Sequence, residues 1–279
     1  MFATTFARLM KIFGKILLFG EYAILEGGNA LSVPSPQHFG ELKLSASSPK
    51  ELESHIHLSE FANYLEKNYS QYFGLTTLEA DLRQKLFFES NIPQGYGVGS
   101  SASVVAAFLK QYGKAIPETL EEKKELFSAI ESHFHGKSSG LDVLVCYENA
   151  PVLIQNSRLK IEHSIHPSDY TKFELIDTKE IGLTSKQVSM FKGQNSKFKE
   201  HFKNEYVDFT NRAIDYFLMG VEEKMFAEMK KLSNFAFENM PFAIPDSFKP
   251  QWEASLNDSN TVMKLCGSGG GGFVIKYSL

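Results

Sequence analysis

Apolar residues in this chain fall first into short runs broken by glycine and proline, then into longer helical patterns. Residues 15–25 read KILLFGEYAIL. Two short apolar runs about Gly20-Glu21 predict strand, turn and strand. Residues 40–47 (GELKLSAS) alternate and predict another strand, and residues 58–72 predict a helix. In residues 91–113, Pro93, Gly95, Gly97 and Gly99 make a loop, Ser100 and Ser101 suit a helix N-cap, and VVAAFL reads as a buried helix. A second helix is predicted over residues 118–134, with Leu126, Phe127, Ile130 and Phe134 as its apolar stripe. Residues 140–164 supply a short element and then strands about Asn149-Ala150-Pro151, and KFELIDT adds a further strand. Helical patterns dominate from Thr184 to Met240, a proline-marked loop covers residues 241–250, and VMKLCGSGGGGFVIKYSL predicts strand, glycine loop, strand. The change of character near residue 183 predicts two domains, residues 1–183 and residues 184–279.

Composition narrows the setting. A net charge of −4 with no basic block argues against nucleic acid, and 24 phenylalanines promise a bulky core. The two cysteines, Cys146 and Cys266, are too few for a disulfide framework, so a reducing cytoplasm is the simplest setting. Lys11 and Lys15 interrupt the apolar start, which argues against a secretory leader. No apolar run approaches the ~20 residues of a membrane span, so no membrane role is expected. The four arginines are Arg8, Arg83, Arg158 and Arg212. Arginine is the usual clamp for phosphate already present on a substrate, so their scarcity bears on the acceptor.

Two glycine-rich segments carry candidate chemistry. The first, Gly95, Gly97, Val98, Gly99, Ser100, Ser101 and Ala102, leads into a helix whose unpaired N–H groups suit an anion. GVGSSA also fits the dinucleotide fingerprint, but that needs a strand immediately before and an acid ending a second strand, and here a proline loop precedes and Glu121 and Glu122 lie in a helix. GKS at Gly136 fails as a phosphate loop of the Walker type, because Glu131 stands where its first glycine belongs. The second segment spans residues 267–272, where consecutive glycines imply close backbone packing or ligand approach. His133 and His135 stand two apart on a helix end and do not share a face, which argues against zinc. Glu131 could be a surface residue or point into a cleft and hold Mg²⁺, Asp142 follows a glycine turn where an acid can serve simply as a cap, and Lys15 alone would be a strand-edge lysine.

Together, GKILLFGEYAIL, PQGYGVGSSAS, HGKSSGLD and KLCGSGGGGF occur in the order found in the GHMP kinases, and the resemblance covers nearly the whole chain. HGKSSGLD is most similar to the version in mevalonate kinases. The resemblance implies an α+β, two-domain GHMP-kinase-like fold, with an N-terminal mixed α/β domain bearing the phosphate loop and a helix-rich C-terminal α+β domain. It implies ATP and Mg²⁺ as cofactors and mevalonate as the small-molecule substrate, and leaves a homodimer open. Residues 95–102 would wrap the ATP phosphates. Ser101 and Glu131 would ligate the metal, Glu131 standing eleven residues before Asp142. Asp142 would be the catalytic base and Lys15 its partner. Glu21, Tyr22, Ser139 and Thr184, with Lys15 and Asp142, would lie on the substrate side. Gly267, Ser268, Gly269 and Gly270 would brace the phosphate loop.

Departures from the pattern leave alternatives open. Tyr22 stands where many mevalonate kinases have histidine, and GEY also occurs in phosphomevalonate kinases. The chain ends seven residues after Gly272, implying a shortened C-terminal domain. Mevalonate diphosphate decarboxylase and a nucleotide-binding relative without catalysis are the remaining readings.

Overall fold

The computed structural model of the protein describes residues 10–279. Arg8 and the beginning of the stretch read for a leader lie outside the described residues. In chain order the elements are β1 (Ile12–Phe19), β2 (Ala30–Lys43), α1 (Pro49–Tyr69), α2 (Leu75–Arg83), β3 (Phe87–Ser90), α3 (Ser100–Tyr112), α4 (Leu120–His135), α5 (Leu141–Glu148), β4 (Val152–Gln155), β5 (Arg158–Ile161), β6 (Phe173–Asp177), α6 (Thr184–Lys192), α7 (Ser196–Asn204), α8 (Tyr206–Leu218), α9 (Glu222–Asn239), α10 (Lys249–Asn257), β7 (Thr261–Leu265) and β8 (Phe273–Ser278). The mixture of helices and antiparallel sheet is the α+β class the sequence implies. The chain forms two compact units, each drawn from three segments. Of the described residues, the first takes 10–15, Pro34–Ile92 and Gly99–Asn149; the second takes Ile16–Val33, Pro93–Val98 and Ala150–Leu279. Position 184, where the sequence pattern changes, begins α6 inside the second unit.

In the first unit α3, α4 and α5 pack on one another, and α1 packs on β3, α2 and α4. The last part of β2 pairs antiparallel with β3, from Gly40 opposite Ser90 to Lys43 opposite Phe87. Phe61, Leu65, Val105, Phe108, Phe127, Ile130 and Val143 are buried in its core, and Phe61 meets Phe108 edge-on with ring centroids 5.0 Å apart. α3 is apolar almost all round, which is why it is buried almost throughout. The α4 stripe is buried at Leu126, Phe127 and Ile130, whereas Phe134 stays exposed. α1 begins well before the predicted residue 58. Ser48 and Glu51 form a capping box with Pro49 in the first turn, and the backbone N–H groups of Ser48 and Ser47 hold the Glu51 carboxyl down at about 2.

In the second unit the start of β2 pairs antiparallel with β4, Ala30 opposite Ile154, and β4 pairs with β5. β6, β8 and β7 form a separate antiparallel sheet, in that order. α9 and α10 pack on β7, and α8 packs on α9. Phe19, Phe191, Phe202, Tyr206, Met229, Phe235 and Trp252 are buried, and the Trp252 indole donates to the Ser233 carbonyl at 3.3 Å. One expectation is corrected here. The AIL run after Gly20-Glu21 is a 3₁₀ turn, Ala23–Glu26, and not a strand. Tyr22 turns the backbone at φ +59° and Gly27 ends the turn in the left-handed region, and so short an apolar run does not distinguish the two states. Among the described residues no helix is long and apolar enough to cross a membrane.

Candidate functional site

The glycine-rich loop positions α3 without a side-chain cap. Gly99, and not Ser100 or Ser101, is the N-cap residue; its φ is +85°, and Ser100 and Ser101 occupy the first turn with no side-chain capping bond. A Cβ at Gly99 would stand 3.2 Å from Lys15 Cγ and 3.3 Å from the Lys15 backbone nitrogen, so glycine serves both the conformation and the approach. A glycine N-cap offers no side-chain oxygen of its own to the first turn, and the N–H groups of a helix start suit an anion. Val98 and Ala102 are buried, and Ser100 and Ser101 are half-buried.

β1 carries Lys15 and the first turn of α5 carries Asp142, and Lys15 Nζ lies 3.0 Å from Asp142 Oδ2. The lysine side chain is 7 % exposed and the aspartate 41 %, so the carboxylate faces solvent from a buried cation. The turn before α5 is fixed tightly. Gly140 has φ +73°, and a Cβ there would fall 2.1 Å from the Lys124 carbonyl oxygen. The Ser138 hydroxyl accepts from Gly140 N–H at 3.0 Å, and that of Ser139 accepts from Leu141 N–H at 3.3 Å. One turn beyond Asp142, Cys146 is fully buried. Burial pushes its thiol well above the ordinary range, Asp142 and Glu131 add to the effect, and Lys15 opposes it.

Glu131, on α4, is buried. Ser101 donates to its Oε1 at 3.0 Å and Ser138 donates to its Oε2. A hydroxyl and a carboxylate held together supply hard oxygen donors, which fits Mg²⁺. No group of three or more His, Cys, Asp or Glu able to hold a metal occurs among the described residues, so substrate oxygens would have to complete such a site. His133 packs on the Tyr64 ring at 4.4 Å; the side chain of His135 lies outside what the structure describes.

The second unit holds Glu21, Tyr22, Gly95, Gly97, Val98, Thr184, Gly267, Ser268, Gly269 and Gly270. Glu21 forms a buried ion pair with Lys264, Oε1 to Nζ 2.5 Å. The Tyr22 hydroxyl donates to the Ser268 carbonyl, and the Ser268 hydroxyl donates to Thr184 Oγ1 at 3.2 Å. Gly95 accepts from Gly182 N–H at 3.3 Å, and Gly270 N–H donates to the Ala243 carbonyl at 2.7 Å. Sequence reasoning missed Ser138 and Lys264. Ser138 sits inside a motif already singled out, and Lys264 is a lone lysine at an inward position of an apolar strand, where only a buried partner makes sense of it.

The family model described as GHMP kinases N terminal domain matches residues 57–149. No curated protein matches the chain by sequence. Among solved structures, L. major mevalonate kinase in complex with R-mevalonate is 19 % identical, with a TM-score of 0.65 over 96 % of this chain and 86 % of that one. Lactococcus lactis galactokinase complexed with galactose is 15 % identical, with a TM-score of 0.65 over 98 % of this chain and 86 % of that one. Streptococcus pneumoniae phosphomevalonate kinase in complex with phosphomevalonate and AMPPNP is 19 % identical, with a TM-score of 0.61 over 96 % of this chain and 91 % of that one. At these identities the likeness establishes the fold.

Proposed function

We propose, from the premise that residues 57–149 belong to the GHMP kinase N-terminal domain family, that the protein transfers the γ-phosphoryl group of ATP to a small alcohol, and that the alcohol is the 5-hydroxyl of mevalonate. The observation that carries this reading is the pair of Lys15 and Asp142, 3.0 Å apart, with the carboxylate half open to solvent. Asp142 accepts the acceptor's hydroxyl proton while that oxygen bonds to the γ-phosphorus and the bond to ADP breaks. Lys15 orients the carboxylate and offers positive charge to the transferring phosphoryl oxygens. The first-turn N–H groups of α3 bind phosphate oxygens. Ser101 and Glu131 would hold Mg²⁺, which when bound neutralises phosphate charge. Positioning and electrostatics supply most of the acceleration in such transfers.

The acceptor is read from charge as well as from HGKSSGLD. Among the described arginines, Arg83 and Arg158 are exposed and Arg212 is engaged by Asp208 and Glu228. None is committed to a second phosphate, which favours an unphosphorylated acceptor. Phosphomevalonate is the second reading, favoured by Tyr22 in GEY. ADP release measured with mevalonate, its mono- and diphosphate, galactose and homoserine should be fastest with mevalonate. Faster turnover of phosphomevalonate would overturn the acceptor and leave the kinase reading intact.

Ser101→Ala and Glu131→Gln each remove an oxygen ligand or its charge. Both should raise the KM for Mg-ATP by about tenfold, in keeping with the loss of a charge-assisted contact. Excess Mg²⁺ should partly rescue Glu131→Gln. Unchanged KM in both variants would put the metal elsewhere.

A further inference from the structure

The resemblance assigns Glu21 and Tyr22 to the acceptor, but their surroundings within the second unit give them other work. The Glu21 and Lys264 side chains are each only 2 % exposed. The Lys264 ammonium also donates to the Leu265 carbonyl at 2.6 Å and lies over the Phe19 ring, 5.6 Å from its centroid. Lys264 belongs to β7, which runs directly into the glycine loop of residues 267–272. Tyr22 is buried, and its ring lies 4.8 Å from that of Phe191 and edge-on to Phe242 at 6.1 Å. Its hydroxyl donates to Ser268, inside the glycine loop. Burial pushes the Tyr22 phenol well up, with Glu21 adding to the effect, so the hydroxyl stays a neutral donor. A tyrosine at φ +59° is uncommon and persists only where its surroundings over-determine it; here the ring contacts and the hydroxyl bond do so.

The same loop also packs against residues 95–98, the start of the proposed phosphate loop. Thr178 Oγ1 donates to the Gly272 carbonyl at 2.8 Å, and Gly272 N–H donates to Glu180 at 2.7 Å. A Cβ at Gly272 would stand 2.9 Å from both Cα and the carbonyl oxygen of Tyr96, and one at Gly97 would stand 3.8 Å from the Cys266 carbonyl. Residues 95–98 therefore rest on the loop that Tyr22 holds.

We infer that Tyr22 and the Glu21–Lys264 pair are positioning residues for the nucleotide: they fix the C-terminal glycine loop, and through it the start of the phosphate loop, and they do not bind the acceptor. This rests on the nucleotide reading proposed above. The deciding variant is Tyr22→Phe, which keeps the ring and removes one hydrogen bond. Mg-ATP affinity is measured calorimetrically without acceptor, alongside KM for ATP and for mevalonate. Loss of one hydrogen bond to the loop should weaken Mg-ATP binding about 3- to 10-fold and raise its KM alike, while the mevalonate KM stays within about twofold. Lys264→Met should shift nucleotide affinity the same way, with Lys264→Arg restoring part of it; if Lys264→Met fails to fold, Tyr22→Phe alone decides. Wild-type protein that does not bind Mg-ATP would sink the kinase reading itself. Wild-type binding with unchanged affinity in Tyr22→Phe would overturn this inference. So would a raised mevalonate KM at unchanged nucleotide affinity, which would return Tyr22 to the acceptor.

Discussion

Asp142→Asn is expected to lower kcat by about 10²–10⁴-fold, the usual worth of a general base, with both KM values within about threefold of wild type. The asparagine keeps the shape of the side chain and its place in the first turn of α5, but loses the proton acceptor and the charge that Lys15 faces at 3.0 Å. Lys15→Met should also cut kcat. Its loss leaves a carboxylate without the buried cation beside it and a phosphoryl group without a neighbouring ammonium. The double variant should lose less than the product of the two single losses, because paired residues act as one unit. Steady-state kinetics on the four proteins reads this directly. If Asp142→Asn binds both substrates normally and turns over within about threefold of wild type, Asp142 is a helix-start residue only and the base catalysis described here is wrong.

The second large effect concerns stability. Glu21→Leu leaves the Lys264 ammonium buried in the second unit with its carboxylate gone, whereas both side chains are 2 % exposed in the native protein. Removing one member of a buried pair typically costs about 3–5 kcal/mol, and for a chain of this size that lowers the Tm by about 10 °C. The Leu265 carbonyl, which accepts from the same ammonium at 2.6 Å, cannot replace a charge. Glu21→Leu combined with Lys264→Met should recover most of the loss, since a pair replaced by apolar side chains is often neutral. Thermal unfolding of the two singles and the double closes the cycle. A Glu21→Leu protein with wild-type Tm would mean that the pair contributes nothing net.

Features written in local chemistry were legible in the sequence. The glycine loop before α3, and α3 itself, follow from glycines that the backbone requires and from an apolar run too long for a turn. α4 followed from its stripe, and its one miss, Phe134, lies at the helix end. The boundaries of α1 were lost because the signal at its start, Ser48-Pro49 with Glu51, is a capping pattern and not a periodicity. Three apolar residues after Tyr22 were read as strand because nothing in AIL distinguishes strand from 3₁₀ turn; the deciding fact is the backbone angle at Tyr22. In the candidate site, the resemblance brought forward Glu131 and Asp142, two acids that both raise the pKa of the Cys146 thiol. Lys264 escaped because its role depends on a partner distant in sequence, Glu21, and Ser138 because its bond to Glu131, seven residues earlier, depends on how the turn between α4 and α5 folds back. The grouping of segments into units is likewise a matter of long-range contacts, which no local pattern carries.

The interleaving of those segments orders events during synthesis. The first unit ends at Asn149, so all of its chain is made before residue 150 is added. The second unit draws on Ile16–Val33 yet pairs Ala30 with Ile154, and its separate sheet waits for Phe273–Ser278. At about 5–20 residues per second, Phe273 is added several seconds after Asn149. During that interval the first unit has its whole sequence made, while β6 still waits for β8, its partner in the second sheet. The second unit, and not the first, is therefore the later of the two to have all of its strands.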